Sequence, residues 1–294
     1  MTKRVHVIIN PAAGQDRPIL GILNTAFQNA GVDWEVFLTK APGDGRRYAE
    51  QAVAAGVDAV AVYGGDGTIM EVASGLIGTN VPLGIFPGGT ANVLSVDLGI
   101  PSDLAEACAL VCREQCSYRP LDVGRMDDHY FLIRVGLGLE AEMVEGATRE
   151  LKDRLGTLAY ALAALQALRE PKVARYTLTL DGETVTSEGL TCIIANSGSV
   201  GRTGLALAPR ISVSDGLLDV VVLRQADLPA LVAVAASIVS GSEPPEPLQH
   251  WQARAISVVV DPPQTVQLDG ETLGLRAEVR ARVLPGAVRV IVPA

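Results

Sequence analysis

Residues 58–76 read DAVAVYGGDGTIMEVASGL, and this stretch breaks into strand, turn and helix. DAVAVY is a short apolar run ended by glycine and reads as a strand, while TIMEVASGL reads as a helix. Between them stand Gly64, Gly65, Asp66, Gly67 and Thr68. Three glycines at a strand-to-helix turn let the backbone come close to a ligand and aim its N–H groups outward. The helix N-terminus adds a positive partial charge, so phosphate is the expected guest. Glycine is common in any turn, which is the plainer reading. A turn needs no carboxylate, however, whereas a magnesium-bound nucleotide or a departing proton would use Asp66.

Outward from this motif the alternation repeats. RVHVII (4–9), WEVFLT (34–39) and PLGIF (82–86) read as further strands. PILGILNTAFQNAG (18–31) and DGRRYAEQAVAAG (44–56) read as amphipathic helices, stopped by Gly31 and Gly56. This rhythm predicts a doubly wound parallel α/β domain over residues 1–120. Such sheets place ligands at the carboxyl ends of their strands. There the sequence sets Asn10 to Gly14 after the first strand, Thr39 at the end of the second, and Pro87-Gly88-Gly89-Thr90-Ala91-Asn92 after the fourth. Singly, Asn-Pro and Pro-Gly-Gly are turns and Thr90 is an N-cap. Together, four strands ending in small polar residues on one sheet edge predict nucleotide binding.

Beyond Pro120 the pattern becomes strand-rich. YRPLDVGRM, HYFLIRVGLGL, ARYTLTLDGETV, LTCIIANS, LLDVVVL, AISVVVD, TVQLDGETL and AEVRARVL read as strands, some joined by turns such as Asp181-Gly182. They predict an antiparallel β-sandwich over 121–285, interrupted by helical segments at 140–170 and 228–240. The closing run, 286–294, reads as a strand that returns to the first domain.

Composition removes several function classes. The chain has 294 residues, is 48% hydrophobic and 19% charged, and carries a formal net charge of −9. A nucleic-acid binder would show a basic face, so no nucleic-acid partner is expected. The same acidity opposes tight, purely electrostatic adhesion to anionic lipid. Cys108, Cys112 and Cys116 recur every four residues and read as one face of a half-buried helix rather than a metal cluster. Cys192 stands alone in an apolar strand. No disulfide framework is implied, and a reducing cytoplasm is the expected compartment. The longest apolar stretch, Ala230 to Val239, cannot span a bilayer, so membrane contact would be peripheral. No G-x-x-x-x-G-K-[ST] cradle occurs. GLGLEA at 136–141 imitates a dinucleotide fingerprint but lies in the strand-rich half, without the acid-ended second strand that fold requires.

GGDGTIMEV and PGGTAN together resemble the diacylglycerol kinase catalytic family, in the bacterial soluble lipid kinase branch related to sphingosine and ceramide kinases. The resemblance covers essentially the whole chain. NPAAG resembles the family's opening N-P-x-x-G, LAPRISVSDGLLDVVVL its acidic metal loop, and LDGE at 268–271 its late catalytic motif. The resemblance implies that Asn10, Gly14, Thr39, Gly64, Gly65, Asp66, Gly67, Thr68 and Thr90 hold ATP. It implies that Asp215, with the carbonyls of Ser212 and Leu217, binds Mg²⁺, and that Glu271 is the general base, with Asp66 the competing candidate. Phosphoryl transfer asks mainly for positioning and charge neutralisation, which hard oxygen ligands and a cation supply. By spacing alone, Asp215-Gly216 and Asp269-Gly270 are ordinary hairpin turns.

The chain departs from the family at Glu140, where relatives carry Asp, and at Gly201-Arg202-Thr203-Gly204, where a glycine run is usual. Arg149, Lys152, Arg154, Arg169, Lys172 and Arg175 flank the apolar run LGTLAYALAALQAL, which suits either a bilayer-docking face or a core helix with solvated ends. The expected reaction is transfer of the γ-phosphoryl group to the hydroxyl of a lipid at the membrane surface, in the cleft between the two domains. A kinase of a soluble acceptor such as NAD and a catalytically silent nucleotide-binding regulator are the rivals. The identity of the lipid and the oligomeric state, a homodimer included, are not encoded in any motif.

Overall fold

The computed structural model of the chain describes residues 2–14, 18–138, 173–199, 207–208, 211–224 and 248–294. They divide into two compact units: one runs up to Val123 and includes Pro285–Ala294, the other starts at Gly124 and runs to Leu284.

The first unit alternates strands and helices: β1 (Arg4–Ile9), α1 (Ile19–Asn29), β2 (Asp33–Leu38), α2 (Asp44–Ala54), β3 (Ala59–Gly64), α3 (Asp66–Leu76), β4 (Leu83–Pro87), α4 (Val93–Asp97) and α5 (Leu104–Cys112). The strands pair in parallel in the order β2-β1-β3-β4. Right-handed crossovers that reverse direction after β2 put α1 and α2 on opposite faces of this sheet. Central β3 is accordingly buried along its whole length, which is why its sequence is uniformly apolar. Leu23 and Phe27, four residues apart on α1, supply its buried stripe. The helix stops where Gly31 turns to φ 64°. On the other face α2 meets α3 closely, because a Cβ on Gly75 would fall 2.7 Å from the carbonyl oxygen of Arg46.

In the second unit the strands are antiparallel. The end of β5 (Ser117–Met126) pairs with β6 (His129–Phe131), and β8 (Ala174–Leu180) with β9 (Glu183–Gly189). The order β12 (Leu248–Ala253), β11 (Leu218–Leu223), β10 (Thr191–Ala195), β7 (Arg134–Gly138), β13 (Ala255–Leu268), β14 (Glu271–Val292) forms the main ladder. β13 pairs with β8 along Ile256–Asp261 and with β7 along Val266–Leu268. Its register shifts between Val259 and Gln264, at Pro262 and Pro263, where proline removes ladder donors. A strand that changes partners at such a bend makes a sandwich corner. Tyr176, Leu178, Val220, Val258, Val266 and Val279 interlock between the layers. The fold is therefore an α/β unit plus an antiparallel β-sandwich, as the sequence predicts.

Several element boundaries differ from the sequence reading. HYFLIRVGLGL is two strands, β6 and β7, broken at Leu132 and Ile133, whose N–H groups turn to the Asp269 carboxylate. LQHWQA, too polar to read as a strand, forms β12. TVQLDGETL is split by its hairpin, TVQL closing β13 and ETL opening β14, which runs on through AEVRARVL into the closing run; Val290 lies opposite Leu83 of β4, in parallel. Cys116 lies beyond α5, which ends at Cys112, so the three cysteines do not share a helix. Instead Lys3 Nζ donates to the Val111 carbonyl at 2.6 Å and to Cys116 Sγ at 3.3 Å. Arg175 is an exposed residue of β8, 3.8 Å from Glu188. The remaining basic residues of that group, Glu140, the 201–204 segment and both helical interruptions lie outside the described residues.

Candidate active site

In the first unit the register brings the strand ends into one row: Ile9 lies beside Leu38 and Tyr63, and Gly64 beside Pro87. The order 2-1-3-4 reverses between β1 and β3, and ligands of such sheets bind in the crevice at that reversal. Asn10 stands on one side of it and Gly64 to Thr68 on the other. Asn10 Nδ2 donates to Thr68 Oγ1 at 3.0 Å, and the Asn10 N–H donates to the Tyr63 carbonyl at 2.9 Å. Asn10 Oδ1 also accepts the Ala12 N–H at 2.9 Å, shaping the loop that leads to Gly14.

The glycines here are required by close approach more than by dihedral angle. Gly64, Gly65 and Gly67 have ordinary φ, but a Cβ on Gly64 would lie 2.7 Å from Thr68 Cβ. A Cβ on Gly89 would lie 2.7 Å from Gly65 Cα, so the loops after β3 and β4 meet backbone to backbone. The Gly88 N–H donates to the Gly64 carbonyl at 2.9 Å across the same contact. Tyr63 lies under both flanking loops: a Cβ on Gly88 would fall 2.9 Å from its ring, and one on Gly14 2.2 Å from its hydroxyl. Gly14 also has φ 86°.

Asp66 opens α3, and its two carboxylate oxygens accept the N–H groups of Val93 at 3.1 Å and Leu94 at 3.2 Å. It thereby fastens the loop containing Thr90 to the glycine turn. The N-cap of α4 is Asn92, at φ 47°, rather than Thr90, which is exposed in the loop. Asn92 clasps Gly89 through two 2.8 Å bonds. Thr39 follows β2, half-buried, its N–H held by the Ile9 carbonyl at 2.9 Å. The side chains of Asn10, Asp66, Thr68 and Asn92 thus hold loops together. The first-turn N–H groups of α3, including that of exposed Gly67, have no intrahelical acceptor.

The second unit carries the other predicted residues. Ser212, Asp215 and Leu217 form the loop before β11, where Asp215 Oδ1 accepts the Leu217 N–H at 3.0 Å and Gly216 takes φ 75°. Leu268 and Glu271 are opposite partners across a two-residue hairpin whose Asp269 and Gly270 have φ 46° and 93°. Glu271 is exposed, and its side chain makes no hydrogen bond or ion pair with any described residue. Its hairpin is firmly held: Asp269 accepts the N–H groups of Leu132 at 2.8 Å, Ile133 at 3.0 Å and Arg134 at 2.8 Å. Sequence reasoning treated Asp269 only as a turn residue; its Asp-Gly signal was visible, but its three partners lie far away in the chain.

Asp219 pairs with Ala195, Ala195 with Arg134, Val135 with Leu268, and Leu268 with Glu271. The Asp215 loop and Glu271 therefore share one end of the sheet, on β11 and β14. Four strand spacings separate them, about 19 Å along the sheet at ~4.8 Å per strand. Among the described residues no three His, Cys, Asp or Glu side chains cluster as a metal site. One exposed carboxylate with two carbonyls is a sparse set of hard oxygens, which fits Mg²⁺, an ion that keeps several waters.

A glycine turn opening a helix at a sheet reversal in one unit, and an exposed carboxylate on a firmly held hairpin in the other, are each features that a phosphotransferase can use. The chain belongs to the diacylglycerol kinase family. Residues 4–126 match the diacylglycerol kinase catalytic domain, and residues 134–292 the YegS C-terminal NAD kinase beta sandwich-like domain. A diacylglycerol kinase of Bacillus subtilis is 30% identical, over 93% of this chain and 91% of that one. A protein of Pseudomonas aeruginosa named "Probable lipid kinase YegS-like" is 34% identical over 92% of this chain and 88% of its own. The crystal structure of a diacylglycerol kinase from Bacillus anthracis superposes with a TM-score of 0.83 at 27% identity, covering 99% of this chain and 97% of that one. Kinase activity follows from this membership. Among the described residues no helix is long and apolar enough to cross a membrane.

Proposed function

We propose that the protein transfers the γ-phosphoryl group of ATP to a hydroxyl of a diacylglycerol-like lipid, acting peripherally at a membrane surface. The observation that carries this reading is the row of strand ends at the β1/β3 reversal, bridged by Asn10 and Thr68, in a chain of this kinase family. The N–H groups at the start of α3 would receive phosphate oxygens. Gly14, Thr39 and the Thr90 loop would border the nucleotide. Ser212, Asp215 and Leu217 would hold Mg²⁺, which when bound supplies neutralisation of phosphate charge.

A lipid hydroxyl is a weak nucleophile at neutral pH, and a carboxylate that accepts its proton as attack proceeds lowers the barrier. Of the two candidate bases, Glu271 has an unengaged carboxylate on a fixed hairpin, while both oxygens of Asp66 accept backbone N–H groups. Glu271 is therefore assigned the base and Asp66 the role of fastening the site's loops. An ADP-release assay offering detergent-dispersed lipid against NAD tests the reading. Lipid-dependent release supports it; release with NAD alone contradicts it.

A further inference from the structure

The stretch GGDGTIMEV contains a glutamate that neither the turn nor the chemistry above employs. Glu71, half-buried on α3, points its two carboxylate oxygens at a different helix. They accept the N–H groups of Gly43 at 2.9 Å and Gly45 at 3.0 Å. Gly43 is the N-cap of α2, at φ 87°, with no side chain to cap its own helix. The donors at the start of α2 are thus satisfied by its neighbour. Glycine at position 45 permits this, since a Cβ there would fall 2.9 Å from both Glu71 Cβ and Oε2.

The loop between Thr39 and α2 is held from inside as well. Asp44 Oδ2 accepts the N–H groups of Lys40 at 2.8 Å and Ala41 at 3.0 Å. Two carboxylates therefore take the backbone donors of Lys40, Ala41, Gly43 and Gly45. Asp44 sets the shape of the loop, and Glu71 sets its place relative to the helix that begins at Asp66.

We propose that Glu71 is a positioning residue for the nucleotide. It presets the distance between the phosphate-facing turn and the Thr39 loop, so a nucleotide spanning the two meets a site already in register. This rests on the nucleotide-binding reading given above. Glu71 would touch no substrate, so its loss acts on nucleotide binding and leaves the transfer step alone.

The test compares Glu71→Gln and Glu71→Ala with the unaltered protein by MgATP titration calorimetry and by steady-state kinetics in both substrates. Expected for Glu71→Ala is a rise of about tenfold in both Kd and KM for ATP, consistent with losing hydrogen bonds to a charged acceptor. Glu71→Gln, which keeps one acceptor oxygen, should fall between. In both, kcat and the KM for lipid should stay within about twofold, and amide exchange at Gly43 and Gly45 should quicken. Should the alanine variant fail to fold, the glutamine variant carries the comparison. Unchanged ATP binding in a folded variant would overturn the proposal by reducing Glu71 to a helix cap. A fall in kcat at constant KM would overturn it too. Absence of MgATP binding by the unaltered protein would instead remove the nucleotide reading on which it stands.

Discussion

Asn10 and Thr68, 58 positions apart in the chain, are joined by a 3.0 Å side-chain hydrogen bond across the reversal point of the first unit's sheet. The bond spans the crevice where a parallel α/β sheet receives its ligand. Cutting it by Asn10→Ala should cost about 1 kcal/mol of stability. The KM for ATP should rise more than the KM for the acceptor. Urea denaturation and two-substrate kinetics check both parts.

The Tyr63 ring explains two glycines at once. Gly14→Ala should impair nucleotide binding because the new methyl meets the Tyr63 hydroxyl, 2.2 Å from the Cβ position. Tyr63→Phe in the same chain should restore part of the loss. Recovery should be incomplete, because φ 86° costs any L-residue roughly 1 kcal/mol or more. A double-mutant cycle on ATP affinity would show coupling between the two positions.

Asp269 and Glu271 should separate cleanly in their effects. Asp269→Asn tolerates the left-handed backbone but weakens three N–H bonds, and should destabilise the protein by about 2 kcal/mol. Glu271→Gln should leave thermal stability unchanged, since the side chain engages no described residue. Its turnover should fall on the order of 10²–10⁴-fold with MgATP affinity retained. Calorimetric melting alongside an activity assay distinguishes them.

Acid should loosen the Thr39 loop through Asp44. The Arg47 guanidinium, hydrogen-bonded to it, and then the backbone N–H of Lys40 hold the Asp44 carboxyl down at about 2, from 3.8. A carboxylate with a depressed pKa stabilises the fold above its unfolded value and loses that contribution as pH falls through its folded value. The stabilising effect should thus be complete above about pH 4 and decline towards pH 2. The difference in urea midpoint between the unaltered protein and Asp44→Asn should shrink over that window.

Much of this architecture was legible locally. β1 to β4 and the helices between them follow from apolar runs, 3.6-residue periodicity and the stops at Gly31 and Gly56. The strand-end residues Asn10, Thr39, Thr68 and Thr90 could be placed on one edge because a parallel sheet dictates it. What escaped the sequence is the set of side-chain-to-backbone bonds between distant segments. Asp66 serves Val93 and Leu94, Glu71 serves Gly43 and Gly45, and Asp269 breaks a strand at Leu132. In sequence Asp66 reads as chemical, Asp269 as a turn residue and Glu71 as neither, and their partners lie 26 to 137 residues away, beyond any local pattern. The junction of the last strands was hidden differently, since Pro285-Gly286 reads as a stop but β14 continues through it.

The most direct measurement follows label from γ-³²P ATP into extracted lipid, with and without Mg²⁺, for the unaltered protein and Glu271→Gln. Magnesium-dependent labelling of a hydroxyl-bearing lipid is expected from the former and almost none from the latter. Equal labelling by both, or none by either in a broad panel of lipid alcohols, would contradict the proposed function.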